Sequence, residues 1–133
     1  MSGRPKKLII EWVNPSGSSN NQLVTANLKT DILRGGTPTI LVPPGKVWVI
    51  VDQVNGNATI GGKIELLIDD EPVALSDDAT RYDPANSDRT RDLVGIRIYG
   101  GHTIKANVYV NANTGADPVT ESMILYIEEY DMF

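Results

Sequence analysis

Cysteine is absent from the 133 residues and histidine occurs once, at His102. Disulfides and thiol nucleophiles are therefore excluded, and the His/Cys clusters of zinc, copper and iron–sulfur centres cannot be assembled within one chain. Metal chemistry is reduced to carboxylates. Aromatic residues make up only 6% of the chain, with two Trp and one Phe, too few for an evident sugar-stacking platform. No stretch approaches the roughly 18 to 20 apolar residues that span a bilayer. Leu8–Ile10 is too short for the apolar region of a signal peptide. Synthesis in the cytosol without membrane insertion is the expectation. Positive charge is also short, since 12 Lys and Arg against 17 Asp and Glu leave a net charge of −5. That field repels phosphate backbones, so nucleic acid is not an expected partner. The basic residues that do cluster, Arg4, Lys6 and Lys7 around Pro5, read as the end of a solvated N-terminal arm over residues 1–6.

Helical spacing is missing as well. Apolar residues recur at every second position and no window of a dozen residues sustains a three-to-four spacing, which is the period of strands. The chain is expected to be all-β and to form one domain over residues 1–133; at this length a fold buries roughly two-thirds of the surface of its unfolded chain, enough for a core without staples. In His102–Asn111, Ile104, Ala106, Val108 and Val110 are expected inside. Lys63–Asp69 repeats the pattern with Ile64, Leu66 and Ile68, and Asp92–Tyr99 with Val94, Ile96 and Ile98. Lys46–Val54 carries Val47, Val49 and Val51 on one face and Trp48 and Ile50 on the other, so it reads as a central strand covered on both sides. Further strands are expected at Lys7–Val13, Gln22–Thr30, Thr37–Val42, Glu71–Leu75 and Val119–Tyr130, about nine in all, which means a sandwich or barrel.

Turn chemistry punctuates these runs. Pro43-Pro44-Gly45 fixes a tight bend, Gly100-Gly101 and Asp69-Asp70 suit two-residue hairpins that need φ > 0, and Asn55-Gly56 opens a longer loop through Gly62. Asn14–Asn21 and Ser76–Arg91 are long polar connections, read as crossings between two sheets and as the foremost loops for contact with a partner.

Catalytic constellations find no support. His102 follows the Gly-Gly turn in an alternating strand and reads as a solvent-facing structural residue; no Gly-x-Ser-x-Gly elbow accompanies it. The adjacent acids Asp69-Asp70-Glu71, Asp77-Asp78 and Glu128-Glu129 point to opposite faces if they lie in strands, and read as solvated turn and edge residues. Asp77, Asp78, Asp83, Asp88 and Asp92 supply oxygen ligands for calcium without the spacing of a calcium loop. Gly35-Gly36 and Gly61-Gly62 lack the strand and helix of a phosphate loop and read as turns. Trp12 and Trp48 lie in apolar strands and are expected in the core. No catalytic, cofactor-binding or metal residue is assigned, and no enzyme activity is expected.

The run Ile40-Leu41-Val42-Pro43-Pro44-Gly45-Lys46-Val47-Trp48-Val49-Ile50 resembles the entry to a central strand in small jelly-roll proteins of viruses. Asp92-Leu93 and Ile96-Arg97-Ile98-Tyr99-Gly100-Gly101, followed by a long Thr/Asn-bearing strand, are similar to hairpins in the same group, which comprises capsid, decoration, spike and fibre-head proteins of phages and archaeal viruses. The resemblance spans about residues 37–130. It implies an antiparallel β-sandwich of jelly-roll type with eight to nine strands, serving as a virion structural part assembled in the host cytoplasm. Its implied partners are itself, with a trimer favoured, and other virion proteins. Cupins share such a Pro-Gly turn, but the paired His and Glu ligands of that family are missing here. Glu128–Phe133 reads as a frayed terminus, with a role as an anchor in a neighbouring subunit as the alternative. A glycan-binding module or fibre tip, reading a host-surface glycan through Tyr82, Tyr99 and Tyr109, is the rival function. A cupin-shaped enzyme using His102 and nearby acids is the other.

Overall fold

The computed structural model describes residues 3–78 and 92–132. Among them the regular elements are ten strands and no helix: β1 (Arg4–Asn14), β2 (Gln22–Thr25), β3 (Asn27–Lys29), β4 (Ile40–Leu41), β5 (Lys46–Asn57), β6 (Gly62–Ile68), β7 (Glu71–Asp78), β8 (Arg97–Tyr99), β9 (Thr103–Val110) and β10 (Val119–Asp131). They form two antiparallel sheets, one ordered β3-β1-β10-β5-β8 and the other β2-β9-β6-β7 with β4 alongside β9. The pairing is nested. β1 lies against β10, β2 against β9, β5 against β8 and β6 against β7, so the first half of the chain meets the second in reverse order. The β10–β5 and β9–β6 pairings then close each layer.

The core follows from the two-residue period. Ile104, Ala106, Val108 and Val110 of β9 are fully buried, as are Ile64 and Leu66 of β6, with Ile68 half-buried. The opposite sheet supplies Leu8, Ile10 and Trp12 from β1, Trp48 and Ile50 from β5, and Met123, Leu125 and Ile127 from β10. Both tryptophans are inside, as their strands imply. Each Leu or Ile so buried stabilises the fold by about 1.5–3 kcal/mol relative to exposure.

Several local expectations are corrected. β5 is interior within its sheet, between β10 and β8, yet among the described residues only its inner face is buried. Trp48 and Ile50 are buried while Val47 and Val49 are half-buried and Val51 is exposed. Asp92–Tyr99 is a strand only from Arg97, because Gly95 takes φ +95° in a turn that buries Leu93 rather than Val94. Gln22–Thr30 divides into β2 and β3, which lie in different sheets, and Ala26 is buried at the crossing. Gly100-Gly101 joins β8 to β9 across the sheets instead of closing a hairpin. A Cβ on Gly100 would stand 2.4 Å from the Pro43 carbonyl oxygen, so the two turns at this end pack backbone to backbone. By contrast, Asp69 and Asp70 both take positive φ, 52° and 65°, and join the paired strands β6 and β7 as a two-residue hairpin.

Both ends of the chain are also more ordered than expected. Arg4, Pro5 and Lys6 are not an arm, because β1 runs in register with β10 from Arg4↔Glu129 to Asn14↔Val119. Glu128–Asp131 is likewise held in β10, which lies between β1 and β5. Each terminus supplies the backbone partners of the other. The Asn14–Asn21 loop does cross from one sheet to the other, since β1 and β2 belong to different layers. Most of Ser76–Arg91, with Tyr82, Asp83 and Asp88, lies outside the described residues.

Candidate functional site

The lone histidine sits where two turns meet. His102 Nδ1 bonds Asp69 Oδ2, and Asp69 Oδ1 accepts the Thr103 N–H at 2.9 Å. The His102 bond, followed by the Thr103 N–H, holds the Asp69 carboxyl below its ordinary value. Both side chains are half exposed. The pair clasps the β6–β7 hairpin to the start of β9, and Asp70 continues the clasp through Lys105 at 2.6 Å. Among the described residues no three of His, Asp and Glu gather as a metal-binding group.

Chemistry that the sequence pattern did not signal lies in two buried glutamates of β10. Glu129 was read as a solvated edge acid but faces inward and is nearly buried, because β10 is an interior strand. Its Oε2 accepts the Trp48 Nε1–H at 2.8 Å, its Oε1 accepts from Arg4 at 3.2 Å, and Lys6 lies at 3.8 Å. Burial pushes this carboxyl up, but the Trp48 bond, Lys6 and Arg4 outweigh it and hold it below the ordinary glutamate value. Asp131 extends the cluster by pairing with Lys46 and Arg4, and its carboxyl is held low by those bonds. Glu121, near the other end of β10, is fully buried. Its Oε1 accepts three successive backbone N–H groups, of Thr59 at 2.8 Å, Ile60 at 2.6 Å and Gly61 at 3.1 Å. It thereby ties down the loop between β5 and β6, in the manner of an anion in a nest of backbone donors. Glu121 Oε2 and Trp12 Nε1 are buried without a partner among the described residues, and the two residues are register neighbours on β10 and β1.

The Asn14–Asn21 loop, picked out for partner contact, is committed internally. Ser18 Oγ donates to Asn14 Oδ1 at 2.8 Å, and Asn113 Nδ2 donates to the Asn14 and Asp117 carbonyls. Gly17 N–H bonds the Asn113 carbonyl at 2.8 Å, and Asn20 Oδ1 accepts the Ala112 N–H. Asn14, Ser18 and Asn113 are buried, so this end of the sandwich is a satisfied polar plug.

Two surfaces remain open. At the opposite end an apolar crevice of about 320 Å³ runs between the sheets, floored by Leu8, Trp48, Ile40 and Ile127 and flanked by Ile32 and Leu33. Trp48 has spent its N–H on Glu129, so the floor offers van der Waals contact only. The second surface is the outer face of the β3-β1-β10-β5-β8 sheet. The burial alternation turns Ile9, Val47, Val49, Val51, Ile124 and Tyr126 outward, interleaved with Lys7, Asp52 and Glu128. The outer face of the other sheet mixes Lys63, Glu65, Lys105, Asn107 and Tyr109 with the exposed apolar side chains of Leu23 and Leu75. There Glu65 accepts from Asn107 at 3.3 Å and from the Tyr109 hydroxyl at 3.2 Å.

These features define the class of the protein as an all-β antiparallel sandwich with nested strand pairing. No protein-family model matches the chain, and no curated protein matches it.

Proposed function

We propose that this chain is a non-enzymatic structural protein of a virion, a capsid, decoration or vertex component that acts through self-association and contacts with other virion proteins. The nested pairing carries the reading. A chain whose halves pair in reverse order, β1 with β10 through to β6 with β7, is a long antiparallel ribbon wrapped into two layers. Such nesting supports a reading as a jelly roll, an architecture that viral shells use as a repeated building block. For the glycan alternative, Tyr99 is exposed, the Tyr109 hydroxyl is engaged by Glu65, and Tyr82 lies outside the described residues.

Quantitative mass spectrometry of purified particles from the source tests the reading. Peptides of this chain at a fixed ratio to the major shell protein are expected. Their absence from particles, with the chain abundant in the soluble fraction, overturns it.

A further inference from the structure

We propose that residues 4–7 form an acid-released strap: they close one side of the crevice between the sheets at neutral pH, and peel away from β10 when Glu129 and Asp131 are protonated, ahead of the rest of the fold. The device is independent of the virion role proposed above.

The segment is the least anchored part of β1. β3 lies beside β1 only from Ile9 to Glu11, so among the described residues 4–7 pair on one side alone, with β10. Pro5 brings no N–H to that ladder, as befits an edge. Arg4 and Pro5 are exposed and Lys6 and Lys7 half-buried, and the first apolar anchor is Leu8. By the alternation that turns Leu8, Ile10 and Trp12 inward, the inward side chains here are Arg4 and Lys6. Charge, rather than apolar contact, therefore holds the inner side of the strap. On its outer side Lys7 lies 5.7 Å from the Tyr126 ring centroid, a contact that acid leaves in place.

The charges form a lattice of five groups. Glu129 and Asp131 of β10 lie between Arg4 and Lys6 of β1 and Lys46 of β5, and Trp48 of β5 donates its N–H to Glu129. Among the described residues the other charged groups around them are Glu128, bonded to Tyr130 on the outer face, Arg97 of β8 beside Tyr130, and Asp31 at the crevice with Lys6 and Lys7. Protonating the two carboxyls turns two anions and three cations into three cations alone, so attraction becomes repulsion. Glu129 is the main lock, because its side chain is only 8% exposed. The pairs of the more exposed Asp131 are screened by water.

The direction of the switch follows from linkage. Despite its burial Glu129 is held below the ordinary glutamate value by Trp48, Lys6 and Arg4, and Asp131 below the ordinary aspartate value by Lys46 and Arg4. Peeling removes Arg4 and Lys6 and lets both carboxyls take protons closer to their ordinary values. The closed strap is favoured above the ordinary carboxylate range, and that preference is lost as pH falls through the lowered values of the closed form. Lys6, Lys7 and Leu8 line the crevice together with Trp48 and Ile127. Moving residues 4–7 off β10 widens its mouth and brings the Trp48 ring, 5% exposed when closed, to water.

The test is amide hydrogen exchange of the full chain by NMR across pH, expressed as protection relative to an unfolded chain at the same pH. Protection in residues 4–7 should fall below the ordinary carboxylate range, by up to about tenfold per pH unit for each carboxyl that takes a proton. That of Ile10, Trp12 and β9 should hold. In a Trp12→Phe chain the emission of Trp48 should move to longer wavelength over the same pH range. Glu129→Gln combined with Asp131→Asn should show low protection in residues 4–7 already at neutral pH, with no further fall on acidification. Lys7→Gln, on the outer side, should keep the wild-type response. Wild-type protection in residues 4–7 that is constant with pH, or that falls only together with that of β9, overturns the strap. So does a pH response that survives in the double variant.

Discussion

Replacing Glu121 with Ala removes the acceptor that holds the β5–β6 loop, and the size of the loss can be worked from its surroundings. Oε1 takes three backbone N–H groups, and a hydrogen bond contributes about 0.5–1.5 kcal/mol net. The full sum does not apply. Thr59 is exposed and Ile60 half-buried, so their N–H groups regain water in the variant. The Gly61 N–H stays buried, at about 1–3 kcal/mol unpaired. Loss of side-chain packing adds to this, and removal of the desolvated, unpartnered Oε2 subtracts. The net expectation is a destabilisation of about 3 kcal/mol, close to 10 °C in melting temperature for a domain of this size. Glu121→Gln keeps an acceptor oxygen in place and should lose about half as much. Urea denaturation with an unchanged slope gives both numbers. Glu121→Ala within about 0.5 kcal/mol of wild type refutes the clamp.

The Glu129 cluster should govern acid stability. Its carboxyl and that of Asp131 are held below their ordinary values, so the unfolded chain binds those protons more readily than the folded one. The stability they contribute is present above the unfolded carboxylate range and is lost as pH falls through the lowered folded values. Glu129→Gln should therefore be less stable than wild type at neutral pH, with the gap narrowing on acidification, as measured by denaturation midpoints across pH; a pH-independent gap counts against it. Gly100→Ala should be destabilised by about 1–3 kcal/mol or more, because its Cβ would meet the backbone of Pro43, Lys46 and Gly45 at 2.4–3.0 Å. Gly35→Ala, with nothing within 4 Å of its Cβ, should be neutral; equal melting temperatures for the two variants would refute the close-packed turn.

Much of this architecture was legible residue by residue. Alternation in β6 and β9 identified Ile64, Leu66, Ile104, Ala106, Val108 and Val110 as core, because a strand facing solvent on one side must alternate. The Asp69-Asp70 hairpin was legible because its φ requirement is local. Gly100-Gly101 was misread because the same dipeptide serves a hairpin and a sheet crossing, and only the pairing of β8 with β5 and of β9 with β6 separates them. The polar ends were misread for a similar reason. Arg4–Lys6 and Glu128–Asp131 resemble solvated termini one at a time, and become strand only because each is the backbone partner of the other, more than a hundred residues away in sequence.

The division is physical. By itself the sequence determined the quantities set within a few residues: the absence of thiol chemistry, the two-residue period, the buried Trp12 and Trp48, and the net charge. The tertiary structure decided everything that depends on long-range pairing. It chose which strands neighbour which, turned Glu121 and Glu129 inward against donors distant in the chain, and set Val47, Val49 and Val51 on the outer face of their sheet. Side-chain direction repeats with the local backbone, whereas partners are chosen by which distant strand closes the sheet, and no short window of residues contains that choice.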